Sequence, residues 1–247
     1  MRTYAWWCAR SLGGTLALCG LLSVCLPKTA RAESVIEIVA SSTEPWQKHK
    51  TKRGYSVEKR PVRGSPFYEY RASTQIALPP AKLIEDMWQT VTTRTGSVVM
   101  KRQVLKRAET ELLIYDQIKT PVVSDRDYTL RLRKVALGND RFQMIFETAN
   151  ELGPGPDPHF VRIPAIRGCW LIEPSPSAKE SSHVTYQSYS DPGGSVPSFV
   201  IHGAQVDQLI KNIETLVTRL ESARIGSTPA PTPIPTPPAP TPPAPPT

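Results

Sequence analysis

The residues able to do chemistry are few and scattered. The four histidines, His49, His159, His183 and His202, show no ligand spacing such as His-Glu-x-x-His, which would set two imidazoles on one helix face for a metal. Cys169 adjoins Trp170 in an apolar run, where a buried, inert thiol is expected rather than a thiolate nucleophile. There is no Gly-x-Ser-x-Gly elbow, no phosphate loop and no dinucleotide fingerprint. The pattern therefore assigns no catalytic residue, no metal and no cofactor. Arg126, flanked by Asp125 and Asp127, leaves two readings open: a charge cluster facing a ligand, or an ion-pair network at a strand entrance. Basic residues gather in Lys48, Lys50, Lys52, Arg53, Lys59, Arg60 and Arg63, and again in Lys101, Arg102, Lys106 and Arg107. They suit either a solvated outer sheet face or peripheral contact with an anionic membrane surface, where each is worth about 1 kcal/mol. Without aromatic interleaving they do not suggest nucleic acid.

The elements that must position these residues are mostly strands. Ile36 to Lys50 has the spacing of a short amphipathic helix, with a break at Pro45. Tyr55 to Val62 and Phe67 to Ala77 read as strands around the turn Arg63-Gly64-Ser65-Pro66. Pro79-Pro80 opens a helix carrying Leu83, Ile84, Met87, Trp88 and Val91 at helical spacing, ended by Gly96. Val98 to Arg107, Glu111 to Ile118 and Asp127 to Leu137 are the next strands. In the last of these Tyr128, Leu130 and Leu132 share one face, opposite Thr129, Arg131 and Arg133. A hairpin turn at Gly138-Asn139-Asp140 leads to a strand with Phe142, Met144 and Phe146 on one face. After a Gly/Pro loop from Leu152 to Pro158 come strands at Val161 to Glu173 and His183 to Ser190. Beyond Asp191-Pro192-Gly193-Gly194 the period changes. Val206, Leu209, Ile210, Ile213, Leu216, Val217 and Leu220 form one helical stripe, on a helix of about 24 residues and ~35 Å. Sequential strands framed by a short helical element and one long C-terminal helix indicate an α+β chain with an antiparallel sheet.

The ends of the chain have other business. Residues 1–32 hold Arg2, Arg10, Lys28 and Arg31 and no acid, so the net charge of +8 falls by 4 to +4 without them. Basic residues, an apolar stretch from Leu12 to Leu26 and Ala30-Arg31-Ala32 give the anatomy of a signal peptide cleaved before Glu33. Cys8, Cys19 and Cys25 would leave with it, and Cys169 alone cannot form an intramolecular disulfide. Residues 226–247 are a Pro/Ala/Thr tract with 11 of the chain's 26 prolines. It is expected to be disordered or an extended polyproline II spacer. Between them, residues 33–225 are one domain, large enough to rest on its own core. The mature protein is then periplasmic or extracellular.

Four stretches, in order, resemble the START domain, a lipid-transfer module of the helix-grip superfamily that includes Bet v 1-like proteins. They are Thr120-Pro121-Val122-Val123-Ser124-Asp125-Arg126-Asp127-Tyr128; Val161-Arg162; Gly168-Cys169-Trp170-Leu171-Ile172-Glu173-Pro174; and Val184-Thr185-Tyr186 with Asp191-Pro192-Gly193-Gly194-Ser195-Val196-Pro197. The resemblance implies a helix-grip fold, a curved antiparallel β-sheet wrapped around a long C-terminal α-helix. It also implies an apolar cavity between sheet and helix for one lipid or other hydrophobic small molecule. The lining would be Leu130, Leu132, Phe142, Met144, Phe146, Trp170, Ile172, Tyr186, Ile210, Ile213 and Val217, with Arg126 at the mouth. Some sterol-transferring members carry an arginine six residues after the arginine of the Arg-Asp-aromatic motif. Here that position is Leu132, so a more uniformly apolar cavity is expected.

The expected function is non-catalytic binding, and transfer, of a lipid-like molecule by a monomer. Two alternatives stand beside it: a cyclase-like enzyme of the same superfamily, and an envelope domain with a filled core. The first testable consequence concerns export. N-terminal sequencing of the exported protein should return Glu33; a chain starting at Met1, or acylated at Cys25, contradicts the signal-peptide reading.

Overall fold

The computed structural model describes residues 44–93, 98–120, 123–196 and 198–226. The proposed signal peptide, the tail from residue 227 onward, Gly96 and Pro197 lie outside these residues.

Among the described residues ten strands form a single sheet: β1 (Gln47–Lys52), β2 (Tyr55–Pro61), β3 (Tyr68–Ile76), β4 (Val99–Arg107), β5 (Glu111–Ile118), β6 (Arg126–Gly138), β7 (Arg141–Thr148), β8 (Val161–Arg162), β9 (Ala165–Pro174) and β10 (Ser182–Asp191). Nine of them run in the order β1-β2-β3-β10-β9-β7-β6-β5-β4, all neighbours antiparallel, and β8 pairs with β6 in parallel. Helix α1 (Pro80–Thr90) and helix α2 (Ser198–Gly226) both pack on the concave face. α1 lies against β7 and β9, and α2 against β3 and β10. This is the helix-grip architecture expected from the sequence.

Alternation decides which side chains meet there. Period-2 strands send Leu112 and Ile114 of β5, Leu132 of β6, Met144 and Phe146 of β7, Trp170 and Ile172 of β9, and Val184 and Tyr186 of β10 into one cluster. The α2 stripe Val206, Leu209, Ile210, Ile213 and Leu216 closes it, each at most 1 % exposed. Polar ties hold α2 in place. Lys52 pairs with Asp207, and Arg53 Nη1 reaches Glu214 at 3.0 Å. Gln205 donates to the Ser190 carbonyl, and Arg219 pairs with Asp86 of α1.

Two elements differ from the sequence reading. The segment read as a helix ending at Lys50 is extended at its C-terminal end, where Gln47–Lys52 is β1. Arg53 and Gly54 take positive φ of 51° and 83°, and the chain folds back so that β1 ladders onto β2. Trp46 then lies against the guanidinium groups of Arg60 and Arg71, each 4.4 Å from a ring centroid. The apolar spacing of so short a segment does not separate helix from strand, and sheet pairing decides it. The strand read from Val161 to Glu173 is interrupted at Pro164, which has no N–H for a ladder, and becomes β8 and β9. Since β8 joins β6 in parallel, the sheet is not wholly antiparallel.

One glycine is needed for close packing. A Cβ on Gly168 of β9 would lie 2.1 Å from the Gln187 carbonyl oxygen and 2.5 Å from the Phe146 ring. Gly203, in α2, has nothing within 4 Å of the same position. Gly168→Ala should therefore destabilise the domain by about 1–3 kcal/mol. Gly203→Ala should stabilise it by about 0.5–1 kcal/mol. Urea midpoints for the two variants check both signs.

Candidate functional site

The eleven apolar positions picked from the sequence come together on the concave face. Strand register sets them in rows. Met144, Trp170 and Tyr186 are direct neighbours across β7, β9 and β10; Phe142 and Ile172 form the next row with Val184, and Leu132 and Phe146 another. The Trp170 and Tyr186 rings stack at 4.0 Å, and Phe146 stands 5.9 Å from Tyr186. Ile210 and Ile213 cover these rows from α2, while Leu130, Phe142 and Val217 are only partly buried at the margins.

This face is not uniformly apolar. Leu132 is buried and apolar as expected, but a guanidinium reaches the interior from another strand. Arg102 of β4 stands opposite Asp116 of β5 and binds it through two nitrogens, at 2.7 and 2.5 Å. A third bond runs from Arg102 to the Val91 carbonyl just past α1, at 2.7 Å, where the helix C-terminus favours a cation. The Tyr128 hydroxyl donates to Asp116 at 3.3 Å. Deeper in, Asn212 of α2 donates to the Tyr186 hydroxyl at 3.0 Å. Burial raises the pKa of Tyr128, and pushes that of Tyr186 to about 12, so both hydroxyls stay protonated near neutrality. Sequence reasoning placed Arg102 among surface charges. The signal available was Asp116 in an otherwise apolar β5 run, since a buried carboxylate requires a partner.

Several of the other basic residues are also engaged. Arg60 binds the fully buried Glu69 at 2.5 Å, and Lys59 sits 4.3 Å over the Tyr68 ring. Lys106 pairs with Glu111 at 2.7 Å. With the α2 ties of Lys52 and Arg53, these pairs reduce the free positive surface suggested by composition.

Open space lies at the strand entrance beside Arg126, and none of the eleven apolar positions lines it. A cavity of about 440 Å³ opens to solvent between Val123 and Ser124 of the β5–β6 loop, Arg126, Val161 of β8, and Gly194, Ser195 and Val196 of the loop into α2. Gly193 in that loop has φ of 67°, and its N–H is held by the Asp191 carboxylate at 2.9 Å. A Cβ there would also lie 2.9 Å from the Arg162 carbonyl oxygen. Arg126 is 3 % exposed. It is the one sequence-selected site residue that lines this cavity. Of its two flanking acids, Asp127 is taken by Arg162, at 2.7 and 2.8 Å, and by the Tyr115 hydroxyl at 2.9 Å. Asp125 accepts the Thr120 N–H at 3.1 Å.

The chemically reactive types are dispersed. Cys169 faces the outer side of the sheet in a small cluster with Ile145 and Val135, and burial pushes its thiol up to about 12. His49 and His202 join an aromatic group with Tyr68 and Tyr70, a proximity invisible in the sequence. Among the described residues no three His, Cys, Asp or Glu side chains form a metal-sized group. No helix among them is long and apolar enough to cross a membrane.

Comparison with known proteins places this geometry. The START domain family model matches residues 29–224, and the chain belongs to the START family. An uncharacterized Pseudomonas aeruginosa protein is 25 % identical over 205 residues, covering 79 % of this chain and 97 % of that one. A crystal structure of the STAR-related lipid transfer protein of Xanthomonas axonopodis superposes with a TM-score of 0.61 at 24 % identity, covering 72 % of this chain and 99 % of that one. Human STARD10 gives 0.60 at 16 % identity, covering 84 % and 86 % of the two chains. Human StAR-related lipid transfer protein 5 gives 0.60 at 18 % identity, covering 77 % and 94 %. At these identities the structural likeness speaks for the fold.

The Arg102–Asp116 pair yields a stability prediction. Asp116→Ala leaves Arg102 without its carboxylate in a largely buried place and should cost about 3–5 kcal/mol. The double variant Arg102→Met/Asp116→Leu should recover most of that loss. Urea denaturation of both measures it; a double variant as unstable as the single one contradicts the pairing account.

Proposed function

We propose that this protein is a non-catalytic carrier that binds one lipid or other hydrophobic small molecule between the concave sheet face and α2. The observation that carries the reading is the START match over residues 29–224. It supports reading the inner apolar rows as a ligand site, because solved structures similar to this chain are named as lipid transfer proteins. The eleven inner residues would contact the apolar part of the ligand, and α2 would move to admit it, turning about the glycine loop that precedes it. The Arg102–Asp116–Tyr128 group gives the interior one satisfied polar spot where a ligand hydroxyl or carbonyl can bond without stranding a charge. The carrier works as a monomer in the periplasm or outside the cell, after cleavage before Glu33. Exposed Lys101 and Lys48 would favour transient contact with anionic lipid surfaces during loading.

One observation favours a second reading, a cyclase-like enzyme: polar groups do converge on the inner face. Their chemistry weighs against it. General acid–base work needs a group that titrates near the working pH. The two tyrosines are pushed away from that range, and Arg102 is raised further by Asp116 against the opposing pull of burial.

Charge insertion separates a carrier from a filled core. Leu132→Arg and Met144→Lys place a cation on the inner face from neighbouring strands. In a cavity that admits ligand and water, the variants should remain folded while affinity for a fluorescent lipid falls at least about tenfold. In a dry, permanently packed core the same charge costs several kcal/mol, approaching the roughly 5–15 kcal/mol stability of a whole domain. Insoluble or molten protein at both positions contradicts the carrier. Circular dichroism melts alongside lipid titrations read the difference.

A further inference from the structure

Resting on the carrier reading, we infer that the cavity at Arg126 is an anion subsite, holding the carboxylate or phosphate head of a bound amphiphile whose chain runs inward along β6. The argument begins with the buried cation. Arg126 is 3 % exposed, yet no carboxylate lies within ion-pair distance among the described residues. Its Nη1 donates to the Ser124 carbonyl, and its Nε reaches the Pro192 carbonyl only at 3.5 Å. The guanidinium has five N–H donors, and Nη2 has no acceptor among the described residues. Arginine so placed normally pairs, because an uncompensated buried charge is costly. Here the neighbouring acids are committed elsewhere: Asp127 to Arg162 and Tyr115, Asp125 to the Thr120 N–H with Lys119 at 3.9 Å. Burial accordingly lowers the Arg126 pKa, with Asp125 pulling the other way.

The surroundings suit an oxyanion. Ser124 and Ser195 line the same 440 Å³ space, large enough for a headgroup. The loop Gly194-Ser195-Val196 leads into α2, whose first turn contains no acid; a helix N-terminus favours negative charge. Strand β6 then supplies direction. Arg126, Tyr128, Leu130 and Leu132 alternate onto one face, so charge, hydroxyl and two leucines follow one another from the cavity into the apolar rows over ~20 Å. That order matches an amphiphile with an anionic head.

The test compares two fluorescent probes differing only at the head, cis-parinaric acid and its methyl ester. The acid should bind wild-type protein about tenfold tighter or more, the worth of a charge-assisted bond. Arg126→Gln should bring the acid down to the ester's affinity and leave the ester unchanged; Arg126→Lys should retain part of the preference. Ser195→Asp changes an exposed residue of the same cavity and does not depend on Arg126 variants folding. It should reduce the acid's advantage by giving Arg126 a resident carboxylate. Inorganic phosphate separates a lipid head from a free anion. If calorimetry shows phosphate binding that needs Arg126, with no preference for acid over ester, the head assignment is overturned in favour of a free oxyanion. Equal affinities in wild type without phosphate binding, or a preference that survives both Arg126→Gln and Ser195→Asp, overturns the proposal and leaves the carrier standing. If neither probe binds, the carrier reading falls and this proposal with it.

Discussion

A sheet of ten strands that curves onto its own concave face needs something else to cover that face, and most of the cover is one helix. α1 is only 11 residues long and shields the region of β7 and β9. The rest falls to α2, whose stripe from Val206 to Leu216 is almost wholly buried. Most of the cover over the interior thus depends on a single element. Its polar ties are at the rim, where Lys52, Arg53 and Arg219 meet acids across the seam. Exposed or partly exposed pairs of this kind contribute little, about 0–1 kcal/mol each. Apolar burial is the main force holding α2 down, and a lipid chain can replace that kind of contact.

The same constraint explains the polar residues inside. A sheet edge next to a helix C-terminus leaves carbonyl oxygens needing donors, and Arg102 meets the Val91 carbonyl while neutralising Asp116. The group is satisfied internally and needs no ligand to be stable. Arg126 is the contrast: more fully buried, but bonded among the described residues only to two backbone carbonyls, and lining open space. One arginine completes the fold; the other has donors left over.

Much of this was legible in the sequence, for physical reasons that can be named. Strands β5, β6, β7, β9 and β10 and helix α2 announce themselves because their hydrophobic periods, 2 and 3.6, are long and clean, and because turn residues such as Asn139 and Asp140 adopt the positive φ their types tolerate. The inner-facing residues followed from that alternation, and the four ordered stretches from Thr120 to Pro197 pointed to START. Three things were hidden. β1 was mistaken for helix because its pairing with β2 is a tertiary fact. Arg102 looked like surface charge because β4 is an edge strand whose pattern alternates poorly around two bulges. The free state of Arg126 was undecidable, since it depends on Arg162, 36 residues away, claiming Asp127 through the parallel β8 pairing.

The central claim, that the concave interior is a ligand site, is tested most directly by native mass spectrometry. Protein purified from its own cells, and again after incubation with a bacterial lipid extract, would be weighed intact and then extracted with organic solvent. The account predicts one amphiphile per chain, released on unfolding and recovered in the extract. A single ligand-free mass under both conditions, with no lipid in either extract, would contradict it.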